Sequence, residues 1–156
     1  MKIAIIGAGG RVGLPLSILC ADAGNTVHGY DINQNTVTSL NDGVMPFYEE
    51  GADDLLKRNI SYQQLEFRTG HLLKNMAFDD TRYDMFIYIL GTPVDGEGNP
   101  VLDDLIDEFH NLKEHLKNYS ELQRPTIILR STVSPGTTDT LNKILVGMNY
   151  DLFYIP

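Results

Sequence analysis

Short apolar runs alternate with helix-patterned segments along nearly the whole chain, and this alternation limits the possible folds more than any other feature. Lys2 to Ile6 (KIAII) reads as a short buried strand. A helix is expected from about Arg11 to Ala23, ended by Gly24. TVHGYDI follows as a second strand, and NQNTVTSLNDG as a helix capped by Asn33 and closed by Gly43. MPFYEEG is a loop, ADDLLKRN a short helix, QLEFRT a weak strand and HLLKNM a weak helix. DMFIYILG has the continuous apolar character of a strand buried on both faces. A turn-rich loop, TPVDGEGNP, leads into LDDLIDEFHNLKEHLKNY, whose apolar residues recur at helical spacing. PTIILRS, GTTDTLNKILVGM and YDLFYI complete the series as strand, helix and strand. Strands separated by helices pair in parallel through right-handed crossovers. The expected fold class is therefore α/β: a doubly wound parallel sheet of about six strands, of Rossmann type, in three αβα layers.

The turn after the first strand is unusually bare. IIGAGGRVGLP places Gly7, Gly9, Gly10 and Gly13 between a strand and a helix, where a dinucleotide diphosphate sits in such folds. A helix start offers free N–H groups and a partial positive charge, and side chains there would block a close approach. The G-x-G-x-x-G spacing would need glycine at position 12, which is Val12. The best fit is the one-residue longer G-x-x-G-x-x-G, with Gly7 turning the chain, Gly10 admitting the phosphates and Gly13 allowing close helix–strand packing. Arg11 either adds a charge at the phosphates or lies solvated. Asp31 ends the second strand, where a carboxylate can accept bonds from the adenosine ribose hydroxyls; the same residue also suits a cap or a turn. No Lys or Arg follows at Ile32, Asn33 or Gln34, which favours NAD over NADP. A phosphate-loop NTPase is excluded, because Leu14 and Pro15 stand where Lys and Ser/Thr are required.

Two later loops, LGTPVDGEGNP and RSTVSPGTTDT, leave strand ends on the edge where open parallel sheets bind ligands. Their hydroxyls and amides suit contacts to the nicotinamide ribose and a substrate, and equally suit ordinary turn and cap chemistry. The net charge of -9, with no Lys/Arg cluster, argues against nucleic acid. No apolar run approaches a membrane span, and no signal peptide shows, so the cytoplasm is the expected location. Cys20 is the one cysteine, on an apolar helical stretch, and reads as a small buried hydrophobe. His28, His71, His110 and His115 show no metal spacing, and no metal site is expected.

Taken together, GLPLS after the glycine turn, GYDIN, GVMPFYEEGADDLL, ILGTPVDGEGNPVLDDL and LRSTVSPGTTDTL resemble the N-terminal, NAD-binding domain of the UDP-glucose/GDP-mannose (nucleotide-sugar) dehydrogenases. The pairing of G-T-P with S-T-V-x-P-G-T is the most specific part. The resemblance implies that Asp31 is the ribose-binding acid, that Thr92 contacts the cofactor, and that Thr132 stands near the nicotinamide and helps position a catalytic water. It places Glu49 at an acidic position near the cofactor site, with Pro93 and Ser131 shaping the loops. The expected cofactor-binding set is Gly7, Gly10, Arg11, Val12, Gly13, Asp31, Gly91, Thr92, Pro93, Ser131 and Thr132, with Thr132 in the catalytic role.

Two departures stand out. The family has strict G-x-G-x-x-G spacing with an aromatic residue, where this chain has an extra residue and Gly10-Arg11. Ser134 stands where proline is common. The resemblance further implies oxidation of the C6 alcohol of a UDP-sugar to a carboxylate in two hydride transfers, through a cysteine nucleophile that lies in later domains. Residues 1–156 are therefore expected to be one NAD-binding domain of a longer enzyme, binding NAD without turnover and dimerising only with those further domains. The competing expectations are a stand-alone NAD/NADH-sensing domain and another NAD-dependent dehydrogenase of hydroxyacid type.

Overall fold

The structure is a computed structural model and describes residues 1–70, 81–98 and 100–156. Among the described residues six strands form one sheet: β1 (Lys2–Ile6), β2 (Thr26–Asp31), β3 (Leu65–Thr69), β4 (Met85–Tyr88), β5 (Thr126–Leu129) and β6 (Asp151–Tyr154). Their order is β3-β2-β1-β4-β5-β6, and every pair is parallel. The helices are α1 (Gly13–Asp22), α2 (Gln34–Asn41), α3 (Ala52–Ser61), α4 (Asp103–Leu116) and α5 (Thr137–Ile144). The expected helix at HLLKNM falls within 71–80, outside the described residues.

Alternation along the central strands builds two cores. Ile3 and Ile5 of β1 pack with Leu14, Ile18, Val37, Leu40 and Leu56 from α1, α2 and α3. Ala4 and Ile6 face the other way, onto Leu105, Phe109, Leu112 and Leu141 from α4 and α5. Both faces of β1 and β4 are thus covered, which explains their near-continuous apolar runs. The chain reverses its winding between β1 and β4, and there the C-terminal strand ends open into a crevice, as expected of a doubly wound sheet.

Local chemistry sets the helix ends. Asn33 caps α2, its side chain accepting from the amides of Asn35 and Thr36. Gly43 adopts φ 74° just past the end of α2, as a closing glycine does. α1 begins at Gly13, two residues later than expected, because the glycine turn runs on through Val12. α5 ends at Ile144 rather than near Met148.

Candidate functional site

The first wall of the crevice is backbone. Gly7 follows β1 with φ 87°, and its N–H, like that of Ala8, donates to the Tyr30 carbonyl of β2. A Cβ at Gly7 would overlap the Ile89 carbonyl oxygen, and one at Gly13 would overlap the Gly7 carbonyl oxygen. Both positions therefore admit only glycine, for the turning and packing reasons read from the sequence. Gly10 differs: the nearest protein atom to a Cβ there, the Gly7 carbonyl oxygen, would be 3.6 Å away. Its bareness serves no protein contact and leaves the approach to the turn open.

This helix start offers unused donors. The amides of Arg11, Val12 and Gly13 make no hydrogen bond among the described residues, and that of Gly10 reaches the Gly7 carbonyl only at 3.4 Å. Val12 occupies the N-cap without a side-chain cap, and the first turn of α1 carries no acid. Such a start attracts an anion through its orphan N–H groups and its dipole. Arg11 is exposed, with its guanidinium 5.3 Å from the centre of the Phe47 ring, so it stacks on the loop before α3 instead of reaching freely into solvent. Glu49, on the same loop, is exposed and does not line the crevice.

Asp31 lines the crevice at the end of β2. Its Oδ2 accepts from the Gly9 amide at 2.9 Å and its Oδ1 from the Asn33 amide at 3.0 Å. The turn role weighed for Asp31 is thus real, while the cap of α2 belongs to Asn33. A carboxylate offers about four acceptor sites, so the two oxygens keep capacity for a diol. Gly7, Gly10, Asp31 and Gly91 all border this crevice of about 340 Å³, whose lining is mostly apolar. Ligand sites of this kind pair an apolar lining with a few placed polar groups.

The second wall is held by hydroxyls. Ser131, 4% exposed, accepts from the Leu90 amide at 2.9 Å. The Thr92 hydroxyl donates to the Thr132 carbonyl at 2.7 Å. The loops after β4 and β5 are therefore laced together, with Pro93 exposed and its carbonyl accepting from Val101. Thr132 is exposed on this lacing, and its own hydroxyl makes no hydrogen bond among the described residues. Thr92, Pro93, Ser131 and Thr132 form this second group beside the crevice; from the loop after β4, Ile89, Leu90 and Gly91 line it, and of the expected cofactor-binding residues in the later loops only Gly91 does.

The residues present fit a dinucleotide: unused amides for a diphosphate, a pinned carboxylate one strand away, and an apolar slot between them. The sequence profile described as "UDP-glucose/GDP-mannose dehydrogenase family, NAD binding domain" matches residues 1–154. This chain belongs to the UDP-glucose/GDP-mannose dehydrogenase family. The domain matched is the family's NAD-binding domain, and NAD is its cofactor. Among its relatives, UDP-glucose 6-dehydrogenase TuaD of Bacillus subtilis is 34% identical over 145 residues, which are 92% of this chain and 29% of that protein. UDP-N-acetyl-D-mannosamine dehydrogenase of Pyrococcus horikoshii is 30% identical over 148 residues, 95% of this chain and 32% of that one. A solved structure of UDP-D-ManNAc dehydrogenase from Pyrococcus horikoshii superposes with TM-score 0.77 at 27% identity, covering 99% of this chain and 35% of that one. A ternary complex of GDP-mannose dehydrogenase from Pseudomonas aeruginosa shares the fold, with TM-score 0.81 at 24% identity over 99% of this chain and 35% of that one. The chain spans about a third or less of the length of the curated relatives it matches.

Several residues of this family member's crevice were not singled out by sequence reasoning. Tyr30, Asp104 and Glu108 line it, and Glu108 is 1% exposed. The signal for Glu108 was present: an acid at i+3 from Leu105, on the stripe that α4 buries. The Tyr30 hydroxyl lies 2.7 Å from that of Tyr83, which lies 2.7 Å from His28 Nδ1, so a buried polar chain backs the crevice wall. Tyr88 is fully buried beneath the second wall, and its hydroxyl has no partner among the described residues. Burial, then the charge of Glu108, pushes its pKa well above the usual tyrosine value.

His28 and His115 are buried packing residues, His110 is exposed, and His71 lies outside the described residues. Cys20 is half-buried against the α1–α3 core, and burial raises its thiol pKa. That environment suits packing rather than nucleophilic reactivity. No helix among the described residues is long and apolar enough to cross a membrane. Among the same residues no group of three or more His, Cys, Asp or Glu could hold a metal ion.

Proposed function

We propose that residues 1–156 form a single coenzyme-binding domain of a nucleotide-sugar 6-dehydrogenase, which oxidises the C6 alcohol of a UDP-sugar to a carboxylate in two hydride transfers. The observation that carries this reading is the join between the unused amides at the start of α1 and the pinned Asp31 carboxylate, inside a family whose matched domain binds NAD. The amides of Gly10, Arg11, Val12 and Gly13 hold the diphosphate. Asp31 accepts from the adenosine ribose hydroxyls. Ile32, Asn33 and Gln34 bring no positive charge beside it, so a 2′-phosphate would meet an uncompensated carboxylate. NAD is therefore chosen over NADP.

The chemistry that NAD supplies when bound is acceptance of hydride. The second wall orients the reacting end. Ser131 fixes Leu90 and hence Gly91; Thr92 fixes the backbone at Thr132; and the free Thr132 hydroxyl holds a water at the nicotinamide side. Glu49 contributes through its loop, whose Phe47 steadies Arg11 beside the turn. Cys20 takes no part, because it sits on α1 with a raised pKa. On this reading the chain binds NAD alone, acts in the cytoplasm, contacts no nucleic acid or membrane, and oxidises sugar and dimerises only together with further domains.

Titration calorimetry on this chain tests the reading. NAD should bind more tightly than NADP, and Asp31→Ala should weaken NAD about tenfold or more while narrowing that preference. Equal affinity of the wild-type chain for NAD and NADP, or no heat with either, would contradict it.

A further inference from the structure

The longer glycine turn leaves one glycine without a role at the phosphates. Gly9 lies between Gly7, which turns the chain, and Gly10, which faces the crevice. Its amide points across to β2 and donates to Asp31 Oδ2 at 2.9 Å. The Asn33 amide donates to the other oxygen at 3.0 Å. Each carboxylate oxygen thus takes one backbone bond from a different side, and the plane of the carboxylate is fixed. Each oxygen keeps acceptor capacity beyond that bond, and Asp31 lines the crevice.

The space around Gly9 is matched to this contact. A Cβ there would stand 2.7 Å from Asp31 Oδ2 and 2.9 Å from Thr36 Cγ2. Any side chain would push the carboxylate or the start of α2 aside. Gly10 shows no such constraint from the protein. The two adjacent glycines are bare for different reasons, one because of the carboxylate and one because of the open approach to the turn.

We propose that Gly9 is a positioning residue that aims the Asp31 carboxylate, and that through this bond the longer turn sets the preference for a free ribose 2′-hydroxyl over a 2′-phosphate. The proposal rests on the NAD-binding reading above and adds to it the device that orients its key acid. A pre-oriented acceptor gives up little conformational freedom when the diol arrives, so the bond strengthens discrimination as well as affinity. It also joins the diphosphate turn and the ribose acid into one rigid unit.

The test is calorimetry of NAD and NADP with this chain and four variants. Gly9→Ala should cost about tenfold in NAD affinity and collapse the NAD-to-NADP ratio toward that of Asp31→Ala. Adding Thr36→Ser to Gly9→Ala removes the methyl clash but not the carboxylate clash, so the ratio should stay collapsed. Gly10→Ala should weaken NAD and NADP alike and keep the wild-type ratio. The proposal is overturned if Gly9→Ala keeps the wild-type ratio, or if Thr36→Ser restores it. A collapsed ratio in Asp31→Ala beside a wild-type ratio in Gly9→Ala would remove this proposal and leave the NAD reading standing; failure of the wild-type chain to bind NAD would remove both. Should Gly9→Ala not fold, amide exchange decides in the wild-type chain and Asp31→Ala. The Gly9 amide should exchange about tenfold faster in Asp31→Ala, with Gly10 unchanged. An unaltered Gly9 rate would overturn the proposal.

Discussion

The two walls of the crevice are made of different materials. The wall formed by the β1–α1 turn is backbone against backbone: Gly7 and Gly13 touch carbonyl oxygens so closely that no side chain fits. The wall formed by the loops after β4 and β5 is a lacing of hydroxyl bonds, Ser131 to Leu90 and Thr92 to Thr132, on mostly exposed loops. The first presents a fixed array of amides and one pinned acid, suited to a ligand part that is the same in every turnover. The second presents side-chain hydroxyls that hold one loop to the other, and on the reading proposed above it faces the reacting end of the cofactor.

If that contrast is right, substitutions should rank accordingly. Gly13→Ala carries the largest effect: its Cβ has no room beside the Gly7 carbonyl, so a loss on the order of 3 kcal/mol or more is expected, seen as failure to fold or a collapse of the urea midpoint. Ser131→Ala leaves the half-buried Leu90 amide without its acceptor and should cost about 1 kcal/mol, a drop in melting temperature of a few degrees, with the first wall intact. Thr92→Val removes one bond on a more exposed loop and should cost about 0.5–1 kcal/mol. A Ser131→Ala loss as large as that of Gly13→Ala would erase the distinction between the walls.

A further expected effect is confined to alkaline pH. Tyr119 is pushed up to about 12, first by burial and further by Asp84, against the opposing pull of the Tyr83 amide and Arg82. An unfolded tyrosine ionises near 10, so the folded state holds this proton more tightly. The stabilisation is complete below pH 10 and is lost as the pH rises from about 10 to 12. Tyr88, whose pKa burial also raises well above the usual tyrosine value, adds to the loss of stability as the pH rises past 10. Tyr119→Phe should flatten the fall of the urea midpoint between pH 10 and 12, and an unchanged slope would show that the fall arises elsewhere.

What was legible in the sequence follows the range of the interactions. KIAII, TVHGYDI and DMFIYILG announced strands because period and apolarity are local, and Asn33 and Gly43 announced the ends of α2 because caps act within a turn. The roles of Gly7 and Gly13 were readable because spacing between a strand and a helix implies close approach. Gly9 was not readable: its partner, Asp31, lies on another strand, and the bond exists only once β1 and β2 pair. Glu108 escaped for a related reason. It is the one acid on a mostly apolar stripe, and only packing shows that the stripe ends at the crevice. From the sequence Arg11 suits either a phosphate contact or a solvated position; its stacking on Phe47 depends on where the loop before α3 returns.

The most direct test of the central claim is an NMR titration of NAD into the isotopically labelled chain, following every backbone amide. The largest shifts should fall on Gly10 to Gly13 and on Asp31 with its neighbour Gly9, with smaller ones at Gly91 and Thr132. Saturating NAD that leaves the Gly10 to Gly13 amides unmoved, or moves only residues of α5 and β6, would contradict the account.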